Sequence, residues 1–73
     1  MTITVKYSDG SELKFKTFET ITNNELVVEI NCSGNQLTHL PENLNFPMLG
    51  KFDCSDNKIT YLPENMNFQC SNF

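Results

Sequence analysis

The chain repeats itself at an interval of 22 residues, and this period constrains its fold more than any other feature. Residues 30–51 and 52–73 align without a gap, and ten of the 22 positions are identical. The identical pairs are Cys32/Cys54, Ser33/Ser55, Asn35/Asn57, Thr38/Thr60, Leu40/Leu62, Pro41/Pro63, Glu42/Glu64, Asn43/Asn65, Asn45/Asn67 and Phe46/Phe68. A period of about 20 to 50 residues is typical of proteins whose units stack, because each unit buries its apolar side only against its neighbours.

Apolar residues recur at fixed spacings within each unit, together with an asparagine. Residues 46–62 follow the pattern L-x-x-L-x-x-L-x-C-x-x-N-x-L-x-x-L when Phe and Ile are counted with Leu. Over about residues 23–73 the chain therefore resembles the leucine-rich-repeat family. Its C-S-x-N-x-L-T-x-L-P-E-N motif is similar to short repeats of giant DNA viruses, amoebal proteins and bacterial effectors. The resemblance implies an α/β solenoid class, here mostly β: a short right-handed solenoid of parallel strands.

Each shared position has a structural explanation. Ile30 and Cys32 are expected to face inward on one short strand, and Phe52 and Cys54 on the next. Stacking would place these two strands in parallel about 4.8 Å apart. The two aligned asparagines fall where the chain bends inward, and their amides can bond backbone groups that the turn leaves free. The residues that we expect to be structural are Cys32, Cys54, Asn35, Asn57, Leu37, Leu40 and Ile59.

The N-terminal segment has a strand pattern instead of the repeat motif. Residues 2–7 and 12–17 alternate between apolar and polar side chains and flank Gly10, which predicts a β-hairpin. A three-residue loop with Gly10 left-handed places Val5 opposite Leu13 and keeps the apolar residues on one face.

We expect the hairpin to act as a cap that covers the first repeat strand. Residues 1–22 would then comprise the hairpin cap and a degenerate first repeat. Residues 23–73 would hold two repeats, 30–51 and 52–73, and the whole chain would form one structural domain.

Composition narrows the classes of partner. The net charge is −4 with only five Lys and Arg residues, which disfavours nucleic acid because phosphate binding needs clustered basic side chains. No apolar run of about 18 residues predicts a membrane span, and the first residues lack the apolar core of a signal peptide. We therefore expect a protein partner and a cytoplasmic location, in the host cell if the source is viral.

The three cysteines have a structural and a chemical interpretation. Their number is odd and no export signal precedes them, so we expect reduced thiols. Intervals of 22 and 16 residues are not metal-binding spacings, and the lone His39 has no nearby ligand set. We expect no metal and no cofactor. Cys70 aligns with Met48, outside the repeat consensus, so a reactive thiol stays open there beside an inert surface cysteine.

Function is expected on the surface that the stacked strands expose. The residues of this candidate interaction face are Glu29, Asn31, Ser33, Lys51, Asp53, Ser55, Lys58, His39 and Tyr61. The alternative is that they only solvate the sheet and form weak surface ion pairs. No arrangement of residues typical of a nucleophile with its base, or of a phosphate-binding loop, is present, so we expect no enzyme.

The C-terminal end carries apolar residues but no polar capping segment. Because about three repeats are usually needed for stability, we expect this end to be covered by a second copy in a homodimer. The candidate self-association residues are Phe52, Leu62, Met66, Phe68, Cys70 and Phe73. A self-assembling structural protein, or a truncated remnant of a longer repeat array, is the alternative.

Overall fold

The computed structural model describes residues 1–41 and 44–61, which form one four-stranded mixed sheet without an α-helix. The strands are β1 (Ile3–Tyr7), β2 (Glu12–Phe15), β3 (Val27–Asn31) and β4 (Lys51–Asp53), in the order β2-β1-β3-β4. Two 3-10 helices, Phe18–Thr20 and Asn24–Leu26, lie between β2 and β3. The predicted mostly-β class is confirmed. Within the described residues only β3 and β4 pair in parallel, so the parallel solenoid stays a prediction.

The N-terminal hairpin has the predicted register. Val5 lies opposite Leu13 and Ile3 lies opposite Phe15. Gly10 has a φ of 89°, a left-handed conformation that glycine adopts without steric cost. The alternation of apolar residues and the position of the glycine were therefore sufficient to predict this element.

Strand β1 also covers the edge of the first repeat strand, as expected of a cap. It pairs antiparallel with β3, and the pairing places Thr4 opposite Asn31 and Lys6 opposite Glu29. The register is irregular between Lys6 and Tyr7. The Tyr7 hydroxyl donates a 3.0 Å hydrogen bond to the backbone oxygen of Thr22, which ties the hairpin to the connection that leads into β3.

One hydrophobic cluster lies beneath the sheet and includes residues of the hairpin and of both repeats. Its buried members are Ile3, Val5, Tyr7, Phe18, Ile21, Val27, Ile30, Cys32, Leu40, Phe46, Phe52 and Cys54. The rings of Phe18 and Phe52 stack with their centroids 6.3 Å apart, within the usual range for aromatic pairs. The buried residues Ile30, Cys32, Phe52 and Cys54 are those predicted from the alternation, although Cys32 and Cys54 lie just beyond the ends of β3 and β4. The burial of Ile21 was not predicted.

The two repeats are hydrogen-bonded to each other at the interval seen in the sequence. In the β3–β4 ladder Glu29, Ile30 and Asn31 lie opposite Lys51, Phe52 and Asp53, and each pair is 22 residues apart. Beyond the strands the ladder continues, since the Cys32 N–H donates to the Asp53 oxygen at 2.8 Å. After the turn, the Lys58 N–H donates to the Leu37 oxygen at 2.7 Å.

The side chain of Asn57 joins the turns of the two repeats. Its Oδ1 accepts hydrogen bonds from the backbone N–H groups of Asn35 at 2.9 Å and Leu37 at 3.0 Å. Its Nδ2 donates to the backbone oxygens of Cys32 at 3.0 Å and Cys54 at 2.9 Å. The amide thereby pairs backbone groups of both repeats, which would be costly to leave unpaired in this half-buried position.

The side chain of Asn35 makes similar hydrogen bonds, which join the first repeat to Thr2 near the N-terminus. Its Nδ2 donates to the backbone oxygens of Thr2 and Cys32, each at 2.9 Å, and its Oδ1 accepts from the Thr2 N–H at 3.2 Å. The backbone of Thr2 therefore bonds the Asn35 amide much as the backbone of the first repeat bonds the Asn57 amide. The predicted role of both asparagines in the turns is confirmed.

Replacing Asn57 by Asp should destabilise the protein, because the new carboxylate cannot donate to the Cys32 and Cys54 oxygens. We expect the free energy of unfolding at pH 7 to fall by about 3 kcal/mol, given about 1–3 kcal/mol for each buried group left unpaired. Urea unfolding followed by circular dichroism measures this change.

Asn31→Asp is the matched control for that substitution. The Asn31 side chain accepts hydrogen bonds from Ser33, and an Asp already occupies the equivalent position of the second repeat. Its effect should stay within about 0.5 kcal/mol, as for other surface substitutions. Equal losses in the two variants would show that the Asn57 amide does not join the repeats.

Candidate functional site

The sheet surface opposite the hydrophobic cluster is polar, and we call it the polar strand face. Each strand contributes two side chains that alternate with its inward-facing residues. These are Thr4 and Lys6 from β1, Glu12 and Lys14 from β2, Glu29 and Asn31 from β3, and Lys51 and Asp53 from β4. Seven of these eight residues, all except Lys14, line a shallow depression of about 290 Å³.

The strand registers arrange the charges of this face in rows that cross all four strands. Lys6 lies opposite Glu12 on one side and Glu29 on the other, and Glu29 lies opposite Lys51. The first row therefore alternates in sign: Glu12, Lys6, Glu29, Lys51. The second row, one pleat further along the strands, reads Lys14, Thr4, Asn31, Asp53.

The charged groups of the face stay in contact with solvent. Lys6 Nζ lies 4.0 Å from Glu29 Oε2, and the two side chains are 53% and 45% exposed. An ion pair of this exposure contributes at most about 1 kcal/mol to stability and is weakened by salt. These charged groups are therefore accessible to an external partner.

The ends of the two repeat strands are held by the same local turn. Asn31 Oδ1 accepts from the Ser33 N–H at 3.0 Å and from the Ser33 hydroxyl at 2.7 Å, and Asp53 Oδ1 accepts from Ser55 at 3.0 and 2.7 Å. These bonds from the Ser55 N–H and hydroxyl, with a smaller contribution from nearby Lys51, lower the pKa of Asp53 below its usual value. Both serines thus use their hydroxyl groups to hold the turn.

The residues predicted for the interaction face divide into three groups. Glu29, Asn31, Lys51 and Asp53 come together on the polar strand face, while Ser33 and Ser55 form its margin in the turns. Lys58, His39 and Tyr61 are exposed but follow the turns. His39 lines a separate depression of about 300 Å³ together with Phe18, Leu37 and Pro41, among others.

Four residues of the polar strand face were missed in the sequence because they belong to the hairpin: Thr4, Lys6, Glu12 and Lys14. The alternation did show them on the polar side of β1 and β2. It did not show which strand of the hairpin pairs with β3. The pairing of β1 with β3 is what places these four residues beside the repeat residues.

The cysteines differ from the prediction in one respect. Cys32 and Cys54 are both fully buried, as expected of structural residues. Cys32 is a free thiol, and its burial, with a smaller contribution from the negative charge of Asp53, raises its pKa to about 12. The expectation that all three thiols are reduced is wrong for Cys54, which is disulfide-bonded. Cys70 lies outside the described residues.

The predicted self-association end is described only at Phe52. This side chain is 1% exposed and stacks on Phe18, so it belongs to the core of its own chain and offers no exposed apolar surface. Phe52 and Cys54 each have further interaction partners. Leu62, Met66, Phe68, Cys70 and Phe73 lie outside the described residues.

Residues 1–41 and 44–61 hold no group of three or more His, Cys, Asp or Glu side chains placed to bind a metal ion. They also include no helix with the length and apolar character needed to cross a membrane.

Comparison of the chain with protein-family models, with curated protein sequences and with solved structures found no match. The interpretation of the polar strand face therefore depends on its own geometry.

Acid should destabilise the protein in part through Asp53. Since folding lowers the pKa of this carboxyl below 3.8, its stabilising contribution is complete above pH 3.8 and is lost as the pH falls through the lowered value. Asp53→Asn keeps an oxygen that Ser55 can donate to, as Asn31 does for Ser33. We expect its unfolding free energy, measured in urea between about pH 2 and 6, to fall less steeply below pH 3.8 than in the wild type.

The reciprocal variant provides the control for this pH dependence. Asn31→Asp introduces a carboxyl where Ser33 already donates two hydrogen bonds. The unfolding free energy of this variant should therefore fall more steeply with acid than that of the wild type. Identical profiles for the three proteins would contradict the assignment of the acid sensitivity to these turns.

Cys32 should resist thiol reagents in the folded protein, because the reactive thiolate is rare at neutral pH when the pKa is about 12. Peptide mapping after alkylation at pH 8 should find Cys32 unlabelled in native protein and fully labelled in urea. Rapid labelling of native Cys32 would show that it is accessible.

Proposed function

We propose that this chain is a leucine-rich-repeat interaction module that binds a protein through its polar strand face and catalyses no reaction. The observation that carries the proposal is the hydrogen bonding of the Asn57 side chain to backbone groups of Cys32, Asn35 and Leu37, which lie 20 to 25 residues earlier in the chain, about one repeat away. Contacts at the sequence period are what a stacked repeat requires. On this proposal the described residues are the first part of a right-handed solenoid capped by the hairpin.

Two features of the strand ladder support the repeat interpretation. Parallel pairing of β3 with β4 joins equivalent residues of consecutive repeats, for example Ile30 with Phe52. Equivalent residues also make equivalent bonds, since Asn31 and Asp53 each accept from the serine two positions later. A chance pairing of two strands would not reproduce both the register and the local turns.

The chemistry of the face supports binding in preference to catalysis. Its carboxylates and ammonium groups lie on a wet, open surface, where solvent and salt screen their charges. The Asp53 carboxyl of the face has a lowered pKa, so it stays ionised at neutral pH and is a poor proton acceptor. Fixed charges in ordered rows are suited to partner selection and to electrostatic steering.

The C-terminal end is not part of the proposed binding surface. Phe52 is buried, and the other five candidate self-association residues lie outside the described part of the chain. An intracellular setting, in a host cell for a viral source, belongs to the same proposal and is supported by the sequence pattern alone.

Site-specific photocrosslinking tests the proposal. A benzophenone side chain would replace Asn31 on the polar strand face or, as a control, Met48, which is 52% exposed in the segment before β4. We expect protein adducts from position 31 that an excess of unmodified protein suppresses, and none of these adducts from position 48.

The result would contradict the proposal if position 31 gave no adduct, or if both positions gave the same adducts. Adducts to a second copy of the chain and adducts to another protein both count as support, and mass spectrometry separates the two cases.

A further inference from the structure

The polar strand face is electrically neutral although the chain is acidic. Its charged residues are three carboxylates and three ammonium groups: Glu12, Glu29, Asp53, Lys6, Lys14 and Lys51. The chain as a whole carries −4, so its excess negative charge comes from residues outside this face. Two copies would therefore repel each other least if they approached face to face on this surface.

The order of the charges makes the face complementary to itself. A two-fold rotation about an axis parallel to the strands, midway between two facing sheets, reverses the order of the strands and keeps each row at its level. In the first row this brings Glu12 opposite Lys51 of the second copy and Lys6 opposite Glu29. Each pair occurs twice, as in any isologous interface.

The second row obeys the same symmetry. Lys14 comes to lie opposite Asp53 of the second copy, and Thr4 opposite Asn31, whose side chains can share a hydrogen bond. No like charges face each other in either row. The first row has four charges of alternating sign, so it begins and ends with opposite charges. Reversing its order therefore places a negative charge opposite each positive charge.

The face also disfavours a shifted arrangement. If the second copy moved sideways by one strand, Glu12 would meet Glu29 and Lys6 would meet its own symmetry copy. Juxtaposed like charges are a strong penalty at an interface, so the row specifies one register and excludes its neighbour.

We propose that a second copy of this chain is the partner of the polar strand face, in a homodimer whose two-fold axis runs parallel to the strands. The inference rests on the proposed function and identifies its partner. The depression of about 290 Å³ in the face leaves room for the lysine side chains of the second copy.

The dimer is expected to be weak and sensitive to salt. The face is four strands wide, with about 4.8 Å between strands, and two residues deep. Its area is therefore well below the roughly 800 Å² that each partner buries in a stable complex. Its pairs are exposed charges, which salt screens within about 10 Å at 0.1 M. We therefore expect the dimer to form only at high protein concentration. Its Kd should rise at least about tenfold from low salt to 0.5 M salt.

Charge reversal provides the test, with analytical ultracentrifugation of the whole chain from micromolar to millimolar concentration at low salt. Lys51→Glu and Glu12→Lys should each raise the dimer Kd at least about tenfold, since each places two pairs of like charges in contact. Mixing the two variants should restore association, because Glu at position 51 then faces Lys at position 12. The double variant Glu12→Lys/Lys51→Glu should dimerise like the wild type.

The matched control is Lys58→Glu, which makes the same charge change on an exposed lysine outside the face. It should leave the dimer Kd within about twofold of the wild type. Lys51 and Glu12 are exposed as well, so thermal melting should show that all the variants fold.

Three results would overturn the homodimer: a monomeric wild type at every concentration, equal losses in Lys58→Glu and Lys51→Glu, or no recovery in the mixture. If the wild type is monomeric but position 31 still gives adducts to another protein, the proposed function survives and only the identity of the partner is wrong.

Discussion

Much of this small structure depends on the side-chain amide of Asn57. Three of its bonds reach back by about one repeat, to Asn35, Leu37 and Cys32, and two more reach Cys54 and Ser55 in its own turn. A hydroxyl or a carboxylate at this position could not both accept two hydrogen bonds and donate two. The amide therefore holds the two repeats at one spacing, and the parallel pairing of β3 with β4 follows from that spacing.

The same spacing organises both surfaces of the sheet. On the inner side, residues 22 positions apart meet in pairs such as Ile30 with Phe52, and the hairpin adds Ile3 and Val5 to the same cluster. On the outer side, Glu29 meets Lys51, and β1 and β2 extend the alternation of charge across four strands. The hairpin thus has two effects: it covers the edge of β3 and it completes the charged rows of the polar strand face.

Elements governed by local pattern could be predicted from the sequence. Gly10 and the alternation around it determined the hairpin register, and the aligned asparagines indicated the bonded turns. Features that depend on tertiary placement could not be predicted. Leu13 remains 51% exposed because it lies on an edge strand, Ile21 is buried through the path of a connection without a strand or helix pattern, and the disulfide of Cys54 depends on a spatial approach that spacing does not reveal.

Hydrogen exchange of the Asn57 side-chain protons measures directly how firmly this amide joins the two repeats. Nuclear magnetic resonance resolves side-chain amide groups, and hydrogen exchange reports how strongly each is held. We expect the Asn57 Nδ2 protons to exchange at least about tenfold more slowly than those of the exposed Asn31, because they are bonded to the Cys32 and Cys54 oxygens. Equal exchange rates for the two asparagines would show that the Asn57 amide does not join the repeats.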